Sequence, residues 1–389
     1  MIDYSKVLSQ TVCDIKPSGI RKFFDIANTM EDVISLGVGE PDFRTPWQVR
    51  AAGIHSLENG MTRYTSNRGL EALREEISLY INRKYGVKYT PEDEILVTVG
   101  GSEAIDAAVR AIVEPGDEVI IPQPSYVCYE PIVKLAGGVP VIINTKAEND
   151  FKLTKGELVE RITNKTKAII LPYPCNPTGA IMEYEDILAI SEVIKDTDIM
   201  VISDEIYAEL TYGGKKHVSV PSVPGMKERC ILINGFSKTF AMTGWRLGYA
   251  CGPKEIMAMI TKIHQFAIMC APTTSQFAAI EALRNCDDDV ARMLEEYDMR
   301  RKIIVSGFNK IGLECREPKG AFYAFPSIKS TGMTSEEFCE RLLHEKHVAV
   351  VPGTAFGDSG EGFIRTSYCY STAHIKEALR RIEEFLCSL

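Results

Sequence analysis

Short apolar runs alternate with amphipathic segments through the middle of the chain. The runs have the length of strands and few polar residues; they lie at Ile95–Val99, Glu118–Ile121, Val139–Ile143, Ala168–Leu171, Ile199–Ser203 and Ile231–Asn234. Several are separated by segments with helical spacing, such as Glu103–Val113 and Tyr184–Lys195. Continuous apolar strands separated by helices are typical of a mostly parallel sheet covered on both faces. The pattern therefore predicts an α/β fold built on such a sheet.

The two ends of the chain have a different pattern. Residues 1–45 are irregular and lead into a turn-rich string at Gly37–Pro46. From about residue 280, long helical segments take over with short strands between them; they lie at Asp289–Gly312, Thr334–Glu345 and Thr372–Leu386. A chain of 389 residues is too long for a single small core. We therefore predict a large domain over residues 46–280 and a smaller α+β domain formed by residues 1–45 and 281–389.

Composition and charge exclude several classes of protein. The chain is 45% hydrophobic and 25% charged, which is ordinary for a globular protein. Its net charge of −9, without a basic block, argues against nucleic acid or an anionic membrane as the main partner. The eleven cysteines form no CxxC pair, which favours reduced, buried thiols over disulfides or a metal site. No stretch has the length of a membrane span or a signal-peptide core, so we expect a cytoplasmic protein.

Polar and glycine residues follow the predicted strands. In parallel sheets, functional groups collect at the edge where the strands have their carboxyl ends. Gly100–Ser102 opens a helix there, and glycines at a helix N-terminus favour an anion such as phosphate. Tyr126, Asn176 and Asp204 follow three other strands. Taken singly, each also has an ordinary explanation as a cap, a turn residue or a packing residue.

Two charged residues stand alone in an apolar stretch. Between residues 231 and 250 the charged side chains are Lys238 and Arg246. A desolvated lysine has a lowered pKa, and its amine is then nucleophilic toward a carbonyl. An arginine can hold a phosphate with two parallel hydrogen bonds. Together with the groups at the strand ends, these residues suit a planar, phosphorylated pyridine aldehyde whose ring nitrogen is kept protonated by Asp204.

Eight ordered motifs carry a resemblance to a known family. They are SLGVGEPDF (35–43), YTSNRGLEALR (64–74), VGGSEAI (99–105), PSYVCYE (124–130), NPTG (176–179), SDEIY (203–207), SKTFAMTGWRLGY (237–249) and FIRTSY (363–368). The chain resembles the class I/II aminotransferases, which use pyridoxal 5'-phosphate and have the aspartate aminotransferase fold. The resemblance runs from about residue 30 to 385. It implies a large domain with a mostly parallel seven-stranded sheet flanked by helices, and a reaction that moves an amino group from an L-amino acid to a 2-oxo acid.

The resemblance also implies a role for each matched residue. Lys238 would carry the cofactor aldehyde and act with Asp204 and Tyr207 as a catalytic residue. The implied cofactor-binding residues are Gly101, Ser102, Tyr126, Asn176, Asp204, Tyr207, Ser237, Lys238 and Arg246. Arg365 would bind the substrate α-carboxylate with Asn176 and the backbone of Gly39. Tyr64 would reach the cofactor phosphate of a second subunit, which implies a homodimer with shared active sites.

The sequence leaves open one phosphate contact, the role of Tyr323 and the group that binds the substrate side chain. Gly235 stands where several relatives have a hydroxyl residue on the phosphate, and Tyr323 in GAFYAF is a further candidate near the site. Arg21, Arg44 and Arg68 are candidates for binding a second substrate carboxylate, whereas Ile20 and Tyr126 suit an aromatic or aliphatic side chain.

Two other functions compete with amino transfer. A carbon–sulfur lyase of the same fold would share the matched lysine, aspartate, asparagine and arginine. A regulator that fuses this fold to a DNA-binding domain would need a basic helix-turn-helix region before the match, and the match begins within about the first thirty residues of this acidic chain.

Overall fold

The computed structural model describes residues 1–17, 19–20 and 30–389. Its strands are β1 Ile34–Ser35, β2 Ile95–Thr98, β3 Glu118–Gln123, β4 Val139–Asn144, β5 Thr166–Leu171, β6 Met200–Asp204, β7 Cys230–Gly235, β8 Gly248–Cys251, β9 Tyr323–Ala324, β10 Val348–Ala349, β11 Val351–Pro352 and β12 Ile364–Ser367. Its α-helices are α1 Gln10–Cys13, α2 Trp47–Glu58, α3 Glu71–Tyr85, α4 Gly100–Ile112, α5 Tyr129–Leu135, α6 Lys155–Val159, α7 Tyr184–Ile194, α8 Lys254–Ala267, α9 Thr273–Asn285, α10 Asp287–Lys310, α11 Ser335–Lys346 and α12 Thr372–Leu386.

A seven-stranded sheet forms the centre of the molecule, in the order β2-β8-β7-β6-β5-β3-β4. The pairings among β3 to β7 are parallel, and β8 runs antiparallel to both β2 and β7. Strands β5, β6 and β7 lie in the middle of this sheet and are almost entirely buried, as expected for strands covered on both faces. The predicted α/β fold with a mostly parallel sheet is therefore confirmed.

Strand β8 is the one strand of the central sheet that the apolar pattern did not predict. It spans only Gly248–Cys251 and reverses direction after β7. An antiparallel return needs no crossover helix, so the connection stays short. Residues 236–247 form that connection, and they remain at the carboxyl edge of β7. Lys238 and Arg246 are held at the same edge for this reason.

Two small sheets lie outside the central one. Strand β1 pairs with β10 in parallel, and β11, β12 and β9 form an antiparallel sheet. Long helices α10, α11 and α12 accompany them, with boundaries close to those that the sequence predicts. The N-terminal and C-terminal parts thus contribute α+β structure. The exact division at residues 45 and 280 stays a prediction.

The core and surface agree with the cysteine pattern. Seven cysteines are buried, and these are Cys175, Cys230, Cys251, Cys286, Cys315, Cys339 and Cys369. Burial raises the pKa of the Cys175 thiol to about 11, so this cysteine stays protonated beside the NPTG turn.

In the described residues, no helix is both long and apolar enough to cross a membrane.

Candidate active site

The predicted site residues come together at the carboxyl edge of the central sheet. They line a cavity of about 670 Å³. The lining includes Gly39, Gly101, Ser102, Tyr126, Asn176, Asp204, Tyr207, Ser237, Lys238, Arg246 and Arg365. Ile20 lines it as well, whereas Tyr64 does not and leaves 81% of its surface exposed. Strand ends that are far apart in sequence thus meet at one edge, as expected for parallel strands.

The Lys238 amine lies in a largely desolvated part of the cavity. Its Nζ donates a hydrogen bond of 2.7 Å to the carbonyl oxygen of Gly39. The rings of Tyr207 and Phe322 lie 5.9 and 5.7 Å from the same atom. Burial lowers the pKa of Lys238 to about 8; Glu40 opposes this shift, and the cations Arg365 and Arg246 add to it. Near neutral pH the neutral, nucleophilic fraction of this amine is therefore much larger than that of an ordinary lysine.

The lowered pKa predicts how the reactivity of Lys238 changes with pH. The neutral amine is the form that attacks an aldehyde, so labelling of Lys238 by pyridoxal and cyanoborohydride should rise with pH around a midpoint near 8. Peptide mass spectrometry of the cofactor-free protein measures this labelling at one residue. A rate that stays low until the pH reaches the ordinary range of lysine would contradict the assignment.

Asp204 is a buried carboxylate with one strong partner that the sequence reasoning missed. The Tyr129 hydroxyl donates to its Oδ2 at 2.7 Å, and the Ile206 amide donates to its Oδ1 at 3.2 Å. Burial raises the pKa of the Asp204 carboxyl, and the Tyr129 hydrogen bond opposes that rise. Asp204 caps no α-helix, because the chain continues in turns. Tyr129 stands three residues after Tyr126 in the PSYVCYE motif. Its place in this motif is the sequence signal that could have pointed to it as a site residue.

Arg365 also lines the cavity, with most of its donors free. Its Nη1 donates to the Asn176 side-chain oxygen at 3.0 Å, and its Nη2 donates to the Gly37 carbonyl. A guanidinium has five N–H donors. Its buried Nε has no hydrogen-bond partner among the described residues. The arrangement leaves donors for an acidic ligand, and it directs the amide NH₂ of Asn176 away from Arg365.

Backbone and glycine geometry form the anion end of the cavity. Helix α4 begins at Gly100 without a side-chain cap, so its first N–H groups remain available to a ligand. A Cβ on Gly100, whose φ is +78°, would lie 2.9 Å from Nη2 of Arg246. Arg246 itself has a φ of +51°, a costly conformation for a residue with a side chain. Its guanidinium is thus held against the glycine loop, beside Ser237 in the same cavity.

Packing explains why residue 235 is glycine. A Cβ there would lie 2.9 Å from the Cα of Gly248, on the neighbouring strand β8. A Cβ on Gly248 would in turn lie 2.7 Å from the backbone of Gly100. Close approach of the β7, β8 and α4 backbones therefore excludes a side chain at position 235. The hydroxyl residue that the family resemblance implies at this position has no room in this packing.

Substituting Gly235 by alanine should therefore destabilise the protein rather than improve the site. Overpacking of this kind costs about 1–3 kcal/mol of unfolding free energy. Thermal unfolding measures the effect, with Gly156→Ala as the control, because a Cβ at Gly156 meets no atom within 4 Å. Equal melting temperatures of the two variants would contradict the packing argument.

A segment of the N-terminal part closes one side of the cavity. Gly37 and Gly39 supply carbonyl oxygens to Arg365 and Lys238, and Glu40 accepts a hydrogen bond from Thr243. The buried Arg300 on α10 holds Asp42 of the same segment with contacts of 2.8 and 2.9 Å. Sequence reasoning assigned Gly39 but had no signal for Arg300, which lies 258 residues away from Asp42.

The chemistry of these donors fits pyridoxal phosphate. The cavity presents a lysine amine, a buried carboxylate for a ring nitrogen and a tyrosine hydroxyl beside an asparagine amide. The uncapped N-terminus of α4 offers an anion cradle, and Arg365 has an unpartnered Nε. Each polar function of that cofactor has a complementary group in the cavity.

The chain belongs to the class I and II aminotransferases. The family model described as Aminotransferase class I and II matches residues 31–382. Members of this family act on amino acids and 2-oxo acids and generally depend on pyridoxal phosphate. The chain is an aminotransferase, and this assignment is favoured over the carbon–sulfur lyase alternative.

Individual relatives cover nearly the whole chain. The "Putative aminotransferase YugH" of Bacillus subtilis (strain 168) is 55% identical over 97% of this chain and 98% of its own length. An aspartate aminotransferase of Pyrococcus abyssi is 46% identical over 96% of each chain. The crystal structure of an aromatic aminotransferase from Pyrococcus horikoshii OT3 is 43% identical, covers 94% of this chain and 99% of its own, and superposes with a TM-score of 0.90. These similarities confirm the predicted fold and activity class.

Proposed function

We propose that this aminotransferase uses pyridoxal 5'-phosphate, held by Lys238 and the surrounding cavity residues, to transfer an amino group from an L-amino acid to a 2-oxo acid. The observation that carries the proposal is the Lys238 amine, whose pKa is lowered to about 8. It shares one cavity with the buried Asp204 and Arg365. A neutral amine, an acid-binding arginine and a buried carboxylate are the groups that this reaction requires.

The chain's residues divide the work by position. When bound, pyridoxal phosphate supplies an electron sink for the charge that develops at the substrate α-carbon. Lys238 would take the proton from that carbon as general base and then deliver it to the cofactor carbon as general acid. Asp204 holds a proton on the ring nitrogen, and the Tyr129 hydrogen bond orients its carboxylate. Tyr207 and the amide NH₂ of Asn176 donate to the ring hydroxyl oxygen.

Two ends of the cavity orient the reactants. Gly101, Ser102, Ser237 and Arg246 bind the phosphate, and Tyr126 packs against the ring. Arg365 binds the substrate α-carboxylate, assisted by Asn176 and the Gly39 backbone. Binding the phosphate and the substrate carboxylate together fixes the α-carbon near Lys238. This positioning lowers the activation barrier of the proton transfer.

The charges of the described lining residues favour an uncharged substrate side chain. Arg44 is exposed and Arg68 donates to the Asp93 carbonyl at 3.0 Å; neither lines the cavity. Arg21 lies outside the described residues. Among the described lining residues, the cations are Lys238, Arg246 and Arg365, and each already has a role. Ile20, Val38 and Val127 add apolar surface, so we infer an aromatic or broad specificity.

A panel of amino donors tests this specificity. Phenylalanine, tyrosine, leucine and aspartate are assayed with 2-oxoglutarate as acceptor, and kcat/KM is compared for the wild type and Arg21→Ala. We expect aromatic donors to be used well and Arg21→Ala to leave them unchanged. A strong preference for aspartate that Arg21→Ala abolishes would instead favour an aspartate enzyme, as in the Pyrococcus abyssi relative.

A homodimer with shared active sites accounts for the exposure of Tyr64. Large apolar side chains are exposed on the elements beside it: Trp47, Ile54 and Leu57 on α2, and Phe266 at 83% on α8. The Asn67 side chain, in the loop that carries Tyr64, donates to the carbonyl of Met269 just after α8 at 2.9 Å and links these two segments. Apolar exposure of this kind is typical of an interface, and we place a second copy of the chain there.

Light scattering after gel filtration tests the dimer. Phe266→Asp should lower the mass toward that of one chain, because a charge in an apolar interface is costly. Val159→Asp on α6 is the control, since Val159 is also an exposed apolar residue but lies away from Tyr64. Loss of cofactor affinity in Tyr64→Phe would support a phosphate contact across the interface. A wild type that runs as a single chain would contradict the proposal.

We also expect the enzyme to act in the cytoplasm.

A further inference from the structure

Tyr323 contacts two of the predicted site residues, Tyr207 and Arg365. Its hydroxyl lies 2.9 Å from the Tyr207 hydroxyl, and its ring centroid lies 4.6 Å from Cζ of Arg365. Tyr323 is buried and lines the cavity. A Cβ on Gly39 would lie only 2.1 Å from the Tyr323 hydroxyl oxygen, so the phenol also occupies the space beside the Lys238 contact.

We propose that Tyr323 is a positioning residue that makes Tyr207 a better hydrogen-bond donor to the cofactor and holds Arg365 in the plane that receives the substrate carboxylate. This inference rests on the proposed function. It adds a residue that acts through Tyr207 and Arg365 rather than on the reacting atoms.

The direction of the tyrosine hydrogen bond follows from proton counting. A phenol has a single O–H to donate and can accept at its lone pairs. If Tyr207 gives its proton to the ring hydroxyl oxygen, Tyr323 has to donate in the pair with Tyr207. Burial raises the pKa of both tyrosines, so both keep their protons. Consecutive hydrogen bonds polarise one another, which strengthens the terminal donor.

Sheet register places the Tyr323 ring over Arg365. Strands β9 and β12 are antiparallel, and Ser367 stands opposite Tyr323. Arg365 is two residues from Ser367, so it projects from the same face as a diagonal neighbour. Phe356 covers the guanidinium too, with its ring centroid 4.8 Å from Cζ. The two rings restrict the guanidinium and exclude water, while its edge stays open to a carboxylate.

Substitutions at position 323 separate the two effects. Tyr323→Phe removes the hydroxyl and keeps the ring, so it should weaken binding of pyridoxal phosphate to the cofactor-free protein about 2- to 12-fold, as for one net hydrogen bond. It should also raise the pH at which the absorbance of the bound cofactor titrates. When the bound cofactor loses its titrating proton, the ring oxygen carries more negative charge, and a weaker Tyr207 donor stabilises that charge less. The amino-acid KM should stay within about twofold of the wild type, whereas Tyr323→Leu, which removes the ring over Arg365, should raise it further.

A double-mutant cycle tests whether Tyr323 acts through Tyr207. In the Tyr207→Phe background, Tyr323→Phe should cause no further loss of cofactor affinity, because the hydroxyl pair is already broken. Tyr368→Phe is the matched control: its buried hydroxyl bonds the Ala321 carbonyl at 3.1 Å and does not line the cavity. We expect this control to leave cofactor affinity and the absorbance titration unchanged.

Several outcomes would overturn the inference. They are unchanged affinity and titration in Tyr323→Phe, additive losses in the cycle, or an equal loss in Tyr368→Phe. Failure of the wild type to bind pyridoxal phosphate at Lys238 would instead remove the proposed function, together with this inference. Normal cofactor binding with a silent Tyr323→Phe removes the inference alone.

Discussion

Replacing Lys238 by alanine is expected to abolish amino transfer. Lys238 is the one lysine among the described residues that line the cavity, and no neighbouring amine can take over its role. Loss of the general base alone lowers a rate by about 10²–10⁴-fold. The variant also loses the group that reacts with an aldehyde, so the absorbance of covalently bound pyridoxal phosphate should disappear. Steady-state rates with 2-oxoglutarate and absorbance spectra measure both effects.

The control for this variant is a surface lysine. Lys254 on α8 has 65% of its side chain exposed and does not line the cavity, so Lys254→Ala should transfer amino groups at the rate of the wild type. Circular dichroism checks that Lys238→Ala remains folded. Normal transamination by a folded Lys238→Ala protein would refute the assignment of the cofactor site.

Replacing Arg365 by alanine is expected to weaken amino-acid binding for every donor. Truncation removes a charge-assisted contact worth about 1.5–3 kcal/mol, which corresponds to a rise in KM of about 12- to 150-fold. It also leaves the Asn176 side-chain oxygen and the Gly37 carbonyl without their donor. The loss should be common to all donors, because each presents the same α-carboxylate.

Two further variants make the Arg365 result specific. Arg365→Lys keeps a positive charge but not the planar, two-pronged donor, so its KM should fall between those of the wild type and Arg365→Ala. Arg44→Ala removes an exposed arginine outside the cavity and should change nothing. An Arg365→Ala enzyme with unchanged KM for all donors would contradict the proposed carboxylate contact.

The sequence was informative about this protein wherever a functional residue directly follows a buried strand. Asp204 ends β6, Gly101 and Ser102 open the helix after β2, and Lys238 follows β7. Apolar runs identify buried strands, and the carboxyl ends of parallel strands share one edge. Chain order alone therefore predicted which residues meet. The motifs then supplied Arg365 and Gly39, which no strand-end argument reaches.

Tertiary packing decided what chain order leaves open. Strand β8 has none of the valine, isoleucine or leucine residues that mark the other central strands, and pairing with β2 and β7 defines it. Contacts such as Tyr129 with Asp204 and Tyr207 with Tyr323 join residues 75 and 116 positions apart. Periodicity reports which face a side chain occupies within its own element, but not which distant side chain faces it. The sequence by itself thus determined the fold class and the family, and it named many of the residues that line the cavity. Only the folded chain decided their partners, the Lys238 pKa and the steric need for Gly235, because these depend on distances between elements.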